Sequence, residues 1–179
     1  ENSAAMGGGI LYTFNTVNGE TGTSVSDTRQ GQGDNENSYT YEDILAVDGY
    51  VNVHLSADEL NVIVAQGDIG QNELTGEVKT YTLEERAVDG ISGEIVFEER
   101  MNGFALATIS IMNTPADGMH PAHIHENSAA MSGGILYTFN TVNGETGMSV
   151  SDTRQGQGEN ENSYTYEDIL AVDGYVNVH

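Results

Sequence analysis

Residues 1–54 return almost letter for letter as residues 126–179, at a constant offset of 125. Only Gly7 against Ser132, Thr23 against Met148 and Asp34 against Glu159 differ. A period of 125 residues is far longer than the roughly 20–50 residues of a solenoid repeat, and it is a common size for a domain with its own core. The chain therefore reads as beads on a string, and as a window on a longer periodic protein that starts and stops inside its own unit. Copies this similar point to recent duplication and to work done by many units in series.

Within the period, strand patterns dominate. Gly90 to Phe97 alternates, with Ile91, Ile95 and Phe97 on one face and Ser92 and Glu94 on the other. A hairpin turn is expected around Asn102-Gly103, followed by a strand from Phe104 to Met112 that puts Ala105, Ala107, Ile109 and Ile111 on a common face. Further strands are predicted over 61–69, 74–81, 134–140 (with its counterpart 9–15) and 175–179 (with its counterpart 50–54). Helix signals are brief: Thr40 to Leu45 and Ser56 to Leu60 each resemble a capped start, the second as a Ser-x-x-Glu box. Stretches 19–37 and 144–162, rich in Gly, Asn, Asp, Ser and Gln, read as long loops or poorly ordered hairpins. Many short strands separated by turn signals predict an all-β fold, an antiparallel Greek-key sandwich or barrel.

Charge narrows the function. With 28 acidic residues against five Lys and Arg, the net charge is −23. That argues against nucleic acid, whose phosphates are held by Lys and Arg, and against anionic membrane surfaces. It suits solubility and mutual repulsion along a long chain, or capture of cations. The absence of cysteine excludes disulfides, thiolate metal sites and cysteine nucleophiles. No apolar run approaches the roughly 20 residues of a membrane helix.

The five histidines are clustered. His120-Pro121-Ala122-His123-Ile124-His125 holds three, and His54 and His179 close the two copies of Tyr-Val-Asn-Val-His. In extended chain, residues two apart share a face, so His123 and His125 point together while Ile124 points inward. In the same way Tyr175, Asn177 and His179 share a face opposite Val176 and Val178. If the two strands are neighbours, three imidazoles converge on one ion. Neutral imidazole suits copper and zinc, and three ligands leave a coordination position open. The alternative is that these histidines hydrogen-bond backbone or carboxylates at strand ends.

His120-Pro121-Ala122-His123-Ile124-His125-Glu126, Tyr-Val-Asn-Val-His some fifty residues later, and Gln66-Gly67-Asp68-Ile69 resemble the chordin-type CHRD domain. More distantly, the chain is similar to the copper/zinc superoxide dismutase fold. There a Gly-x-His-x-x-His-x-His-Glu segment and a later Val-Val-His strand supply copper ligands. Residues 118–126 resemble the first segment, 176–179 and 51–54 the second, and 88–97 the opening strand. The resemblance implies copper or zinc held by His123, His125 and His179, with His54 completing a site with the preceding repeat and His120 a structural neighbour. Departures weigh against dismutase activity. No histidine lies between His125 and His179, and no arginine between Leu60 and Gly70. An acidic surface also repels superoxide.

The resemblance sets the repeat phase: residues 1–81 are the back part of one CHRD-like repeat and residues 82–179 the front part of the next. Missing strands leave sheet edges open, to be filled by covalent neighbours or by strand exchange between copies. Asp34-Asn35-Glu36-Asn37 and its counterpart 159–162, helped by Asp27 or Asp43, offer calcium a weaker site without the EF-hand spacing. The resulting expectation is a structural or adhesive tandem-repeat domain of a secreted or cell-surface protein, forming a filament in contact with neighbouring repeats or other copies. The alternatives are a copper- or zinc-binding module and, last, a dismutase-type metalloenzyme.

Overall fold

The computed structural model describes residues 8–33, 36–158 and 161–179. All its strand pairings are antiparallel, so the all-β expectation holds at that level. The chain forms two compact units, Glu1–Glu73 and Leu74–His179. The repeat boundary expected near Tyr81 and Thr82 falls inside a strand of the second unit.

In the first unit, helix α1 (Tyr41–Ala46) leads into strand β1 (Asp48–His54), which pairs with β2 (Ile63–Gly70). The helix starts where the sequence signals it. Thr40 Oγ1 accepts from the Asp43 amide, and Asp43 accepts from the Thr40 amide, satisfying two amides that lack helical partners. The second expected helix, Ser56 to Leu60, is absent. The Glu59 amide instead bonds the Ser56 carbonyl (3.3 Å), the Val62 amide bonds Glu59, and Leu55 closes onto Val62 (2.8 Å). These turns return the chain from β1 to β2, so the pairing of two strands overrides a short capping signal.

The second unit contains β3 (Leu74–Leu83), β4 (Ser92–Arg100), β5 (Ala105–Met112), β6 (Met119–His120), β7 (Ala122–Glu126), β8 (Ile135–Thr138), β9 (Val142–Asn143), β10 (Met148–Asp152), helix α2 (Tyr166–Ala171) and β11 (Gly174–Val178). Six strands form one sheet in the order β3-β4-β5-β10-β9-β6, and three form another in the order β11-β7-β8. The apolar positions read from the alternation supply the core. Ile95, Phe97, Ala105, Ala107, Ile109 and Ile111 from the larger sheet pack with Ala122, Ile124 and Tyr137 from the smaller, giving a sandwich-like unit.

Over 144–162, expected as a long loop or a poorly ordered hairpin, β10 is an ordered strand that turns back on β9 and pairs with β5. Its buried face carries Ser149 and Ser151 and its exposed face Val150, the reverse of an apolar-in pattern. The serines are tolerated because each is hydrogen-bonded: Ser149 Oγ donates to the Asn140 carbonyl (2.6 Å), and Ser151 Oγ accepts from the Asn140 amide (2.8 Å).

The two copies of the repeated segment fold differently. Residues 135–138, 142–143 and 148–152 are strands, whereas their counterparts 10–13, 17–18 and 23–27 form only an isolated bridge, Asn18 with Thr23. The strand expected over 9–15 is therefore not formed. Its counterpart, β8, is a strand because it pairs with β7.

Candidate metal centre

The chain changes sheets at Pro121: His120 ends β6 in the larger sheet, and β7 begins in the smaller one. In β7, Ala122 and Ile124 are buried in the core, which turns His123 and His125 to the opposite face. Strand β11 lies alongside in the register Tyr175↔His125 and Asn177↔His123, and the His179 amide bonds the Pro121 carbonyl (2.9 Å). Val176 and Val178 pack against the core, leaving Tyr175, Asn177 and His179 on the histidine face. The two strands are thus neighbours, as the convergence of imidazoles required.

His123, His125 and His179 each offer a ligand atom, and these atoms all lie within 4.8 Å of one another. Ring centroids are 5.7 Å apart for His123–His125, 5.2 Å for His123–His179 and 6.2 Å for His125–His179. The His125 ring is held on two sides. Its Nδ1–H donates to the Gly133 carbonyl (3.0 Å), and its plane stacks on Tyr175 at 5.2 Å and 19°. That hydrogen bond puts the ring proton on Nδ1 and leaves the lone pair on Nε2. A Cβ at Gly133 would sit 2.4 Å from the Glu126 carbonyl, so the close approach of this loop needs glycine.

His125 Nε2 and His123 Nδ1 are buried and have no hydrogen-bond partner. Burial first, then the neighbouring His179 and His125, hold the His123 pKa below its ordinary value, so its ring stays neutral and able to donate a lone pair. The donor set suits a late transition metal: imidazole nitrogens, no thiolate, and an open coordination position.

His120 lies beside the cluster rather than in it. Its Nδ1–H donates to the His179 backbone oxygen (2.9 Å), so it braces the end of the strand that carries His179. His54 stands in the first unit, at the end of β1, and the other four histidines lie in the second. The stacking of Tyr175 on His125 was foreshadowed by its shared face with His179, whereas the Gly133 carbonyl carries no sequence signal.

Of the expected calcium ligands, Asp34, Asn35, Glu159 and Asn160 lie outside the described residues. The helping carboxylates are engaged elsewhere: Asp27 is forked by Arg29, and Asp43 accepts from Thr40. Among the described residues, the three histidines are the group that could hold an ion. No known protein family, curated protein or solved structure matches the chain.

Proposed function

We propose that this chain belongs to a structural or adhesive tandem-repeat protein of the cell surface or extracellular space, and that its repeat carries a three-histidine site for copper or zinc. The observation that carries the metal reading is the pair of buried, unpartnered ring nitrogens, His123 Nδ1 and His125 Nε2, beside His179. A buried polar atom without a partner costs free energy, and a bound cation would offset that cost. Bound there, the ion would tie β7 to β11 and so join two segments far apart in sequence.

The near-identity of the copies favours service in series, since identical units present identical surfaces at regular intervals. The CHRD-like, dismutase-like Greek-key topology remains part of this proposal, as does the repeat phase of 1–81 and 82–179. The acidic surface suits a soluble, self-repelling string of domains.

Metal analysis of the natively purified protein, followed by titration with copper and zinc, tests the site. One ion per chain is expected in the wild type, with uptake lost in His123→Ala combined with His179→Ala. Equal uptake by the double variant would overturn the metal reading. Turnover of superoxide by the loaded protein would favour the enzymatic alternative instead.

A further inference from the structure

Strands β1 and β11 share one sequence, Gly-Tyr-Val-Asn-Val-His, yet they pair with different partners: β1 with β2, and β11 with β7. Backbone hydrogen bonds alternate along a strand, so each pairing uses one set of residues. On β11, the Asn127 amide bonds the Asp173 carbonyl and the His179 amide bonds Pro121 (both 2.9 Å), so Tyr175 and Asn177 face β7. On β1, the Gln71 amide bonds the Val47 carbonyl and the Leu55 amide bonds Val62 (both 2.8 Å), so Gly49, Val51 and Val53 face β2. Shifted by 125, those residues are Gly174, Val176 and Val178. The two pairings therefore occupy opposite edges of the same strand and are compatible with each other.

Strand β11 ends its sheet, in the order β11-β7-β8. We infer that the edge of β11 formed by Gly174, Val176 and Val178 is a docking site for a strand of the β2 sequence, contributed by a further copy of the repeat. The inference rests on the repeat of the proposed function and not on its metal or its adhesive role.

More than a ladder recommends this occupant. In the first unit, the end of β2 clasps the helix that precedes β1. Gln71 Nε2 donates to the Leu45 carbonyl (3.1 Å) and Asn72 Nδ2 to the Gly49 carbonyl (3.0 Å). Gly70, at φ 62°, fits so closely that a Cβ would lie 2.3 Å from the Val47 carbonyl. Helix α2 repeats the sequence of α1, with the same cap and the same residues leading into β11, so it offers the same carbonyls at Leu170, Val172 and Gly174.

Exchange between two molecules of this chain does not satisfy these edges. Among the described residues there are two strands of the β1 type, one of the β2 type and one of the β7 type, so exchange between two such segments only redistributes the pairings. An additional β2 segment does satisfy one.

The test extends the full chain after His179 with the sequence of residues 55–73 and follows amide hydrogen exchange. The amides of Val176 and Val178 are expected to slow about tenfold or more, while those of Tyr175 and Asn177, already in the β7 ladder, serve as internal references. The same extension carrying the Gly70→Ala change should lose that protection. Unchanged exchange at Val176 and Val178, or equal protection from an extension of scrambled sequence, would overturn the inference. Copper and zinc binding, measured on the same samples, reports separately on the metal site.

Discussion

Tyr41 and Tyr166 occupy the same position of the same helix, Tyr-Glu-Asp-Ile-Leu-Ala, yet Tyr41 is 70% exposed and Tyr166 only 5%. Both helices carry the same capping box. The difference comes from the β4–β5 hairpin, whose Gly103 carbonyl accepts the Tyr166 amide (2.9 Å) and whose Phe104 bridges to Thr165. Truncation should therefore be costly at one copy and nearly silent at the other. Tyr166→Ala is expected to destabilise its unit by about 3–5 kcal/mol, as for a large buried aromatic, and Tyr41→Ala to cost about 0.5 kcal/mol or less. Denaturant midpoints check this, and equal losses at the two positions would sink it.

The Arg–Asp fork gives a second paired comparison. Arg154 grips Asp152 with its Nε and a terminal nitrogen (2.8 Å), the side chains being 14% and 0% exposed. Arg29 grips Asp27 in the same way with side chains 88% and 58% exposed. Arg154→Ala removes charged hydrogen bonds to a fully buried carboxylate while the residue 154 amide still donates to Asp152, so it should cost about 1.5–3 kcal/mol. Arg29→Ala should leave the unfolding midpoint almost unchanged, because water screens the exposed pair. It should still raise the Asp27 pKa from its depressed value of about 2, which a carboxylate NMR titration reads.

Proton linkage at His123 has a definite sign. Its folded pKa lies below the ordinary histidine value, so the unfolded chain takes up this proton first as pH falls. The metal-free protein should lose stability as pH drops through the ordinary histidine range toward the lowered folded pKa, and His123→Ala should flatten that slope. Thermal unfolding across pH 5 to 8 tests the prediction. A steeper slope in the variant would contradict it.

Bound metal should stabilise by mass action. With zinc or copper free at about 100 times its dissociation constant, the gain is about 2.7 kcal/mol, and a chelator should reverse it. The His123→Ala, His179→Ala variant should show no such shift. Differential scanning calorimetry with and without the ion is the measurement.

The capping boxes link stability to acid in the same sense, at the lower pH where carboxylates titrate. Hydrogen bonds from Thr40 and Thr165 lower the pKa of Asp43 and Asp168. Their contribution is present above the ordinary carboxylate value and disappears as pH falls through the lowered one. Thr165→Ala should return Asp168 toward an ordinary carboxylate in an NMR titration while leaving Asp43 unmoved.

The metal candidates were legible because alternation on a strand assigns faces from residue identity alone. Ile124 and Ala122 had to face the core, so His123 and His125 could not. The sequence could not supply the register that sets Asn177 opposite His123, nor the Gly133 carbonyl that holds His125. Those contacts join segments that only folding brings together. Strand β10 was hidden for a related reason: Ser149 and Ser151 look solvent-facing until Asn140 is present to satisfy them.

The duplicated segment separates the two kinds of information. Taken alone, it determines what residues within the segment can settle among themselves: the capping boxes at Thr40 and Thr165, the Arg–Asp forks, and internal hydrogen bonds that recur in both copies. Tyr12 hydroxyl donates to the Asp27 and Gln30 carbonyls as Tyr137 does to those of Asp152 and Gln155. Tertiary structure alone decides which copy becomes sheet and core. Phe139 is 2% exposed and Phe14 46%: within the second unit the Phe139 amide bonds the Ala122 carbonyl of β7 and its ring packs in the core with Phe97 of β4. Hydrogen bonds within a short segment need no partner from elsewhere, whereas a strand and a buried side chain exist only when another segment supplies the edge and the apolar surface to meet them.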